Sequence, residues 1–102
     1  MPKPSKESKL QADWIAAIGE HNRLALVHAL AAGEKTVTQL ATELGVEMVN
    51  VSHHLKIMRE AELVTVQKDG RFMIYALNGA TVAKGMLELS HESGAKVSVP
   101  LG

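Results

Sequence analysis

A chain of 102 residues, 46% of them hydrophobic, buries one modest core and leaves no room for a second domain. The absence of cysteine excludes disulfides, thiolate metal sites and thiol-based redox sensing. No apolar run approaches the roughly 18 to 20 residues of a membrane span, and the Lys-bearing N-terminus leads into no signal-peptide core, so a cytoplasmic protein is expected.

Eleven basic side chains cancel eleven acidic ones. The overall charge therefore does not point to nucleic acid, and any such argument rests on local placement. One Trp, one Tyr and one Phe leave the core to Leu, Val, Ile, Met and Ala, a composition that favours packed helices. Residues 1–9, rich in Pro, Ser and Lys and without periodicity, read as a flexible arm. Its Lys3, Lys6 and Lys9 are either solvated or phosphate-seeking.

From Leu10 a helical pattern runs through Trp14, Ile15 and Ile18 to Gly19. Asn22 offers an N-cap for a second helix over residues 23–32, ended by Gly33. Leu24, Leu26, Val27, Leu30 and Ala31 cover most of its circumference, which makes it the buried central helix. Thr38 caps a short third helix over 39–44, ended at Gly45, and a fourth runs over about 47–61. A short helix, a tight Gly turn and a longer helix form the helix-turn-helix signature. The fourth helix carries Val51, Leu55 and Met58 on one stripe and Val49, His53 and Lys56 on the opposite side.

Beyond Glu62 the pattern turns to β-branched and aromatic residues over 63–67 and 71–77, separated by Lys68, Asp69 and Gly70, a hairpin signal. Asn78 then caps an expected fifth helix over 80–91, with Val82, Met86 and Leu89 at i, i+4 and i+7. No pattern assigns a structure to residues 92–102. The expected fold is mainly α with a two-stranded β-hairpin wing, a winged helix-turn-helix of five helices. It comprises an arm (1–9), one winged helix-turn-helix domain (10–91) and a C-terminal tail (92–102). In such folds the reading helix enters the DNA major groove while the wing contacts backbone or minor groove.

The stretch VSHHL at 51–55, continuing as KIMREAELV and then through KDGRFMIYAL at 68–77, resembles the ArsR/SmtB family of bacterial repressors. Arg23-Leu24, and Leu40-Ala41 before Leu44-Gly45, fit the same pattern, so the resemblance spans about residues 18–77. It implies a homodimeric, double-stranded-DNA-binding repressor on an inverted-repeat operator, with the first and last helices as the subunit interface. Trp14, Ile15, Ile18, Val82, Met86 and Leu89 are the candidate interface residues, although each on its own is equally readable as ordinary core. Asn50, Ser52 and His53 offer hydrogen bonds to base edges or phosphates, and Lys56 pairs with phosphate. Thr38 and Gln39 join this set, and Lys68 and Arg71 put positive charge at the wing tip.

The sequence also departs from the family. Val49 stands where a small polar residue is usual and packs on a thymine methyl at best, so specificity leans on DNA shape. Met48 replaces a common Gln and reads as core, and Glu47 replaces the usual Ser or Thr cap. His54, beside the core stripe, reads as a partly buried structural histidine.

Many relatives sense metals through Cys on the third helix or His and carboxylates on the last. Here Thr36 and Thr38 occupy the former positions, hydroxyls that hold soft metals poorly. The last helix offers only Glu88, His91 and Glu92, and His21 and His28 are too far apart to share an ion. No metal site and no cofactor are expected, and the inducer is not legible. Two other classes of function compete with DNA binding. One is a winged-helix module that binds protein, for which the test is whether Lys56, Arg59, Lys68 and Arg71 form a positive strip. The other is an enzyme, which the 100° between neighbours Ser52 and His53 on a helix argues against.

Overall fold

The computed structural model describes residue 3 and residues 5–102. Helix α1 (Lys6–Ile18) starts at Lys6, four residues ahead of the expected Leu10. The Ser5 hydroxyl accepts from the Ser8 backbone N–H at 3.0 Å, Glu7 suits the positive end of the helix dipole, and Lys9 pairs with Asp13 one turn on. Residues 6–9 are thus helix rather than arm, while residues 1, 2 and 4 of the expected arm lie outside the described residues.

Helix α2 (His21–Ala31) is capped by Glu20 rather than Asn22, its carboxylate accepting from the Arg23 backbone N–H at 2.9 Å. After the two-residue strand β1 (Lys35–Thr36), helix α3 (Val37–Leu44) begins two residues before the expected Gln39. A capping box decides its start: Thr36 Oγ1 accepts from the Gln39 N–H, and Gln39 Oε1 accepts from the Thr36 N–H. Gly45, in the left-handed region at φ 66°, turns the chain into α4 (Met48–Glu60). As the sequence implies, Glu47 gives the start of α4 no side-chain cap bond.

The wing strands are β2 (Val64–Asp69) and β3 (Phe72–Leu77), paired antiparallel from Val64↔Leu77 to Asp69↔Phe72. They run on to a two-residue tip at Gly70-Arg71 instead of stopping at Gln67. β1 adds a third strand by pairing Lys35↔Tyr75 and Thr36↔Ile74, giving the order β1-β3-β2.

The C-terminal quarter corrects the expectation of a fifth helix. Residues 80–91 form no helix. They form β4 (Ala80–Ala83) and β5 (Met86–Ser90), and the expected structureless tail supplies β6 (Lys96–Pro100), in a separate antiparallel sheet ordered β4-β5-β6. The physical reason is a mirror-image hairpin turn at Lys84-Gly85, both at positive φ (53° and 74°), which breaks any helix across this segment. Asn78 caps nothing; its Nδ2 donates to the Glu62 carbonyl at 3.0 Å. Alternation replaces helical period: Leu87 and Leu89 are fully buried, whereas Glu88 and Ser90 between and beside them are partly exposed.

One core joins the parts. Trp14 of α1, Leu26 of α2, Leu40 of α3, Leu55 and Met58 of α4, Leu63, and Leu87 and Leu89 of β5 are all fully buried, each side chain contributing about 1.5 to 3 kcal/mol of transfer free energy. The second sheet is tied on by Leu87 and Leu89, and by His91, whose ring lies 5.4 Å from that of Trp14.

Candidate nucleic-acid interface

The reading helix is amphipathic by placement. Val51, Leu55 and Met58 are buried, so α4 is held against the core and its other faces are fixed in orientation. Val49, Asn50, Ser52, His53 and Lys56 are all exposed on it. Val49 is 68% exposed, an apolar group held out in water at the start of the helix. Met48, expected in the core, is instead 51% exposed; its sulfur lies 4.0 Å from Thr38 Oγ1 and links the first turns of α3 and α4. Thr38 and Gln39 are exposed on α3, with the Gln39 amide oxygen committed to the capping box. Asn50 also lines a groove of about 480 Å³ with His21, Leu44 and His54, on the flank that faces α2.

Lys68 and Arg71 are exposed at the end of the wing, Lys68 opposite Met73 on the ladder and Arg71 in the turn itself. Among the described residues, none of Lys56, Arg59, Lys68 and Arg71 takes part in an ion pair, whereas Lys9, Arg23, Lys35 and Lys96 each hold a carboxylate within 4 Å. The acidic residues of the same elements are Glu47, Glu60 and Asp69.

A contact that the sequence does not disclose sets how α4 lies on α2. Arg23 Nε donates to the Ala17 carbonyl at 2.9 Å, and its Nη1 lies 3.3 Å from His54 Nδ1 and 3.8 Å from Glu20 Oε2. One guanidinium thus bridges the end of α1, the start of α2 and the middle of α4. His54 is half-buried, consistent with its place beside the core stripe. The Glu20 carboxyl is held below the ordinary carboxylate range, first by the Arg23 backbone N–H. Arg23 and His54 lie 31 positions apart in the chain. The available signal is a lone cation in a helix whose circumference is otherwise largely apolar.

Of the positions weighed for metals, Thr36 is the α3 cap, Glu88 lies on β5 3.7 Å from Lys96 Nζ, and His91 is buried with both ring nitrogens engaged. Its Nδ1 accepts from the Ser93 backbone N–H at 3.2 Å, and its Nε2 lies 3.3 Å from Glu62 Oε1. Among the described residues, no three His, Cys, Asp or Glu side chains gather as a metal site requires. No helix of the described residues is long and apolar enough to cross a membrane.

The candidate interface residues divide. Trp14, Ile18 and Leu89 are buried within the single chain, while Ile15, Val82 and Met86 are 48%, 52% and 40% exposed.

Helix α3, a glycine turn, α4 and the antiparallel wing behind it define a winged helix-turn-helix transcription regulator. The family model for bacterial regulatory proteins of the arsR family matches residues 20–66, from the cap of α2 into β2. The transcriptional regulator NmtR of Mycobacterium tuberculosis is 32% identical over 92 residues, which cover 90% of this chain and 77% of that protein. The transcriptional repressor SdpR of Bacillus subtilis is 31% identical over 62 residues, 61% of this chain and 69% of that protein. Among solved structures, the homodimeric winged helix-turn-helix DNA-binding domain of a possible ArsR-family regulator from Mycobacterium bovis superposes with a TM-score of 0.66. It is 25% identical, and the match covers 76% of this chain and 75% of that one. The chain belongs to the ArsR family, a family of transcription regulators rather than of enzymes. The family model ends before the second sheet begins.

Proposed function

We propose that the chain is a cytoplasmic, homodimeric DNA-binding repressor that reads an inverted-repeat operator and carries no metal-sensing site. The observation that supports this most directly is the set of four exposed cations, Lys56, Arg59, Lys68 and Arg71, outside any ion pair among the described residues, on the reading helix and wing of a chain with no net formal charge. Phosphate binding draws on such cations.

In this reading Asn50, Ser52 and His53 meet base edges, Val49 meets a thymine methyl, and Lys56 meets phosphate. Thr38 and Gln39 support the backbone contacts of α3, and Lys68 and Arg71 reach backbone or minor groove. With an exposed Val49 and Met48 at the start of the helix, hydrogen-bond readers are few and DNA shape carries part of the specificity. The repressor SdpR and the homodimeric domain from Mycobacterium bovis support the sign of regulation and the assembly. Because Trp14, Ile18 and Leu89 are buried in their own chain, the interface falls to Ile15, Val82 and Met86. The absence of cysteine and the engaged His91 support regulation by something other than a metal.

A second reading, docking of a protein on the same face, is favoured by the exposed apolar residues Val46, Met48, Val49, Phe72 and Met73. Selection of bound duplexes from a random pool separates the two. Enrichment of an inverted repeat supports the first reading, and no enrichment even at low salt overturns it in favour of the second.

A further inference from the structure

The second sheet takes no part in the reading face, and its two edges differ in chemistry. β6 carries Lys96 and Pro100 within the strand, a charge and a residue without an N–H, both of which blunt an exposed edge against pairing. β4 is Ala-Thr-Val-Ala, with neither, and Thr81, Val82 and Ala83 are exposed. The Ser90 N–H donates to the Gly79 carbonyl at 2.9 Å. An antiparallel ladder bonds alternate residues, so Thr81 and Ala83, in phase with Gly79, face β5 with their N–H and C=O groups. Those of Ala80 and Val82 face outward.

Apolar surface flanks this open edge. Val82 pairs with Leu87 and Ala83 with Met86, so the exposed Val82 and Met86 lie on opposite faces of the hairpin. A strand laid along β4 has apolar contact on both sides.

We propose that β4 is the self-association edge of the protein: two copies pair their β4 strands antiparallel about a twofold axis, joining two three-stranded sheets into one of six strands. The inference rests on the homodimer reading above. A second copy is the occupant that fits, because an antiparallel pair of identical strands is self-complementary. The strand is also uncharged and the chain has no net formal charge to oppose association. The small Ala80, Thr81 and Ala83 leave room for close approach of the two hairpins. The part of the interface that the resemblance assigns to a last helix is then a strand edge.

Sedimentation equilibrium of the full chain across a concentration series tests this, with the wild type beside Val82→Pro and Val82→Lys. The Val82 N–H points away from β5, so the proline leaves the internal ladder intact; the lysine is a second way to blunt the edge should the proline disturb the hairpin. The expected result is a wild-type dimer whose dissociation constant rises at least tenfold in either variant with unchanged circular dichroism. Amide exchange at Ala80 and Val82 is expected to slow as concentration rises through that constant. A wild-type dimer with unchanged constants in both variants overturns the edge and leaves the homodimer standing. A wild type that stays monomeric in solution and on DNA overturns both.

Discussion

Arg23 joins three helices through a single side chain, and the consequence belongs to the residue itself. Arg23→Ala removes the bonds to the Ala17 carbonyl and His54 and the guanidinium 3.8 Å from Glu20, which keeps the backbone N–H of residue 23. The expected loss is about 1 to 3 kcal/mol in urea denaturation, because charged hydrogen-bond donors are costly to remove. Glu20 adds a pH dependence whose sign is fixed. Its folded carboxyl is held below the ordinary range, chiefly by the Arg23 backbone N–H. It therefore contributes stability above that range and loses it as the pH falls through the lowered value. The stability gap between wild type and Glu20→Gln should be full near neutrality and close in acid; a gap that widened in acid would contradict the assignment. The exposed candidates of α4, Val49, Asn50, Ser52, His53 and Lys56, and those of the wing, Lys68 and Arg71, were legible as surface positions because helix period and an Asp-Gly hairpin signal place them without tertiary knowledge. Arg23 with His54, and His91 with Glu62, were not, because such contacts form only after distant segments pack.

Elements were legible where local chemistry is unambiguous and lost where two periods fit the same residues. The second and third helices followed from apolar stripes and terminal glycines and the fourth from its apolar stripe, with shifts at the starts where two polar residues compete for the cap, as Thr36 and Thr38 do. Residues 80–91 misled because Val82, Met86 and Leu89 satisfy a helical period while Leu87 and Leu89 satisfy a strand period. The glycine of Lys84-Gly85 was the discriminating signal. Glycine substitutions separate the two structures by sign. In a helix, Gly85→Ala would stabilise by about 1 kcal/mol; at φ 74° in a turn it should destabilise by roughly 1 to 2 kcal/mol. Gly79→Ala should cost more still, since its new Cβ would collide with the Ser90 carbonyl oxygen. Thermal melts of both variants decide the matter, and a raised melting temperature for Gly85→Ala would restore the helix.

At the scale of the molecule, the proposed repressor has no cysteine and, among its described residues, no gathered set of three metal-ligating side chains. Stoichiometric zinc should therefore leave operator affinity unchanged, as anisotropy titration will record, and a tight calorimetric zinc site coupled to DNA release would contradict this. The central claim, that α4 reads bases while the wing holds the backbone, has one direct measurement: operator and random-duplex affinities across a salt series for wild type, His53→Ala and Arg71→Ala. Arg71→Ala should weaken binding to every sequence alike and lower the slope of log affinity against log salt by about one per lost phosphate contact. His53→Ala should keep the slope and narrow the gap between operator and random DNA by roughly 1 to 3 kcal/mol. If Arg71→Ala left affinity and slope untouched, and His53→Ala left the gap as wide as before, neither the wing nor the helix would be the DNA-binding surface.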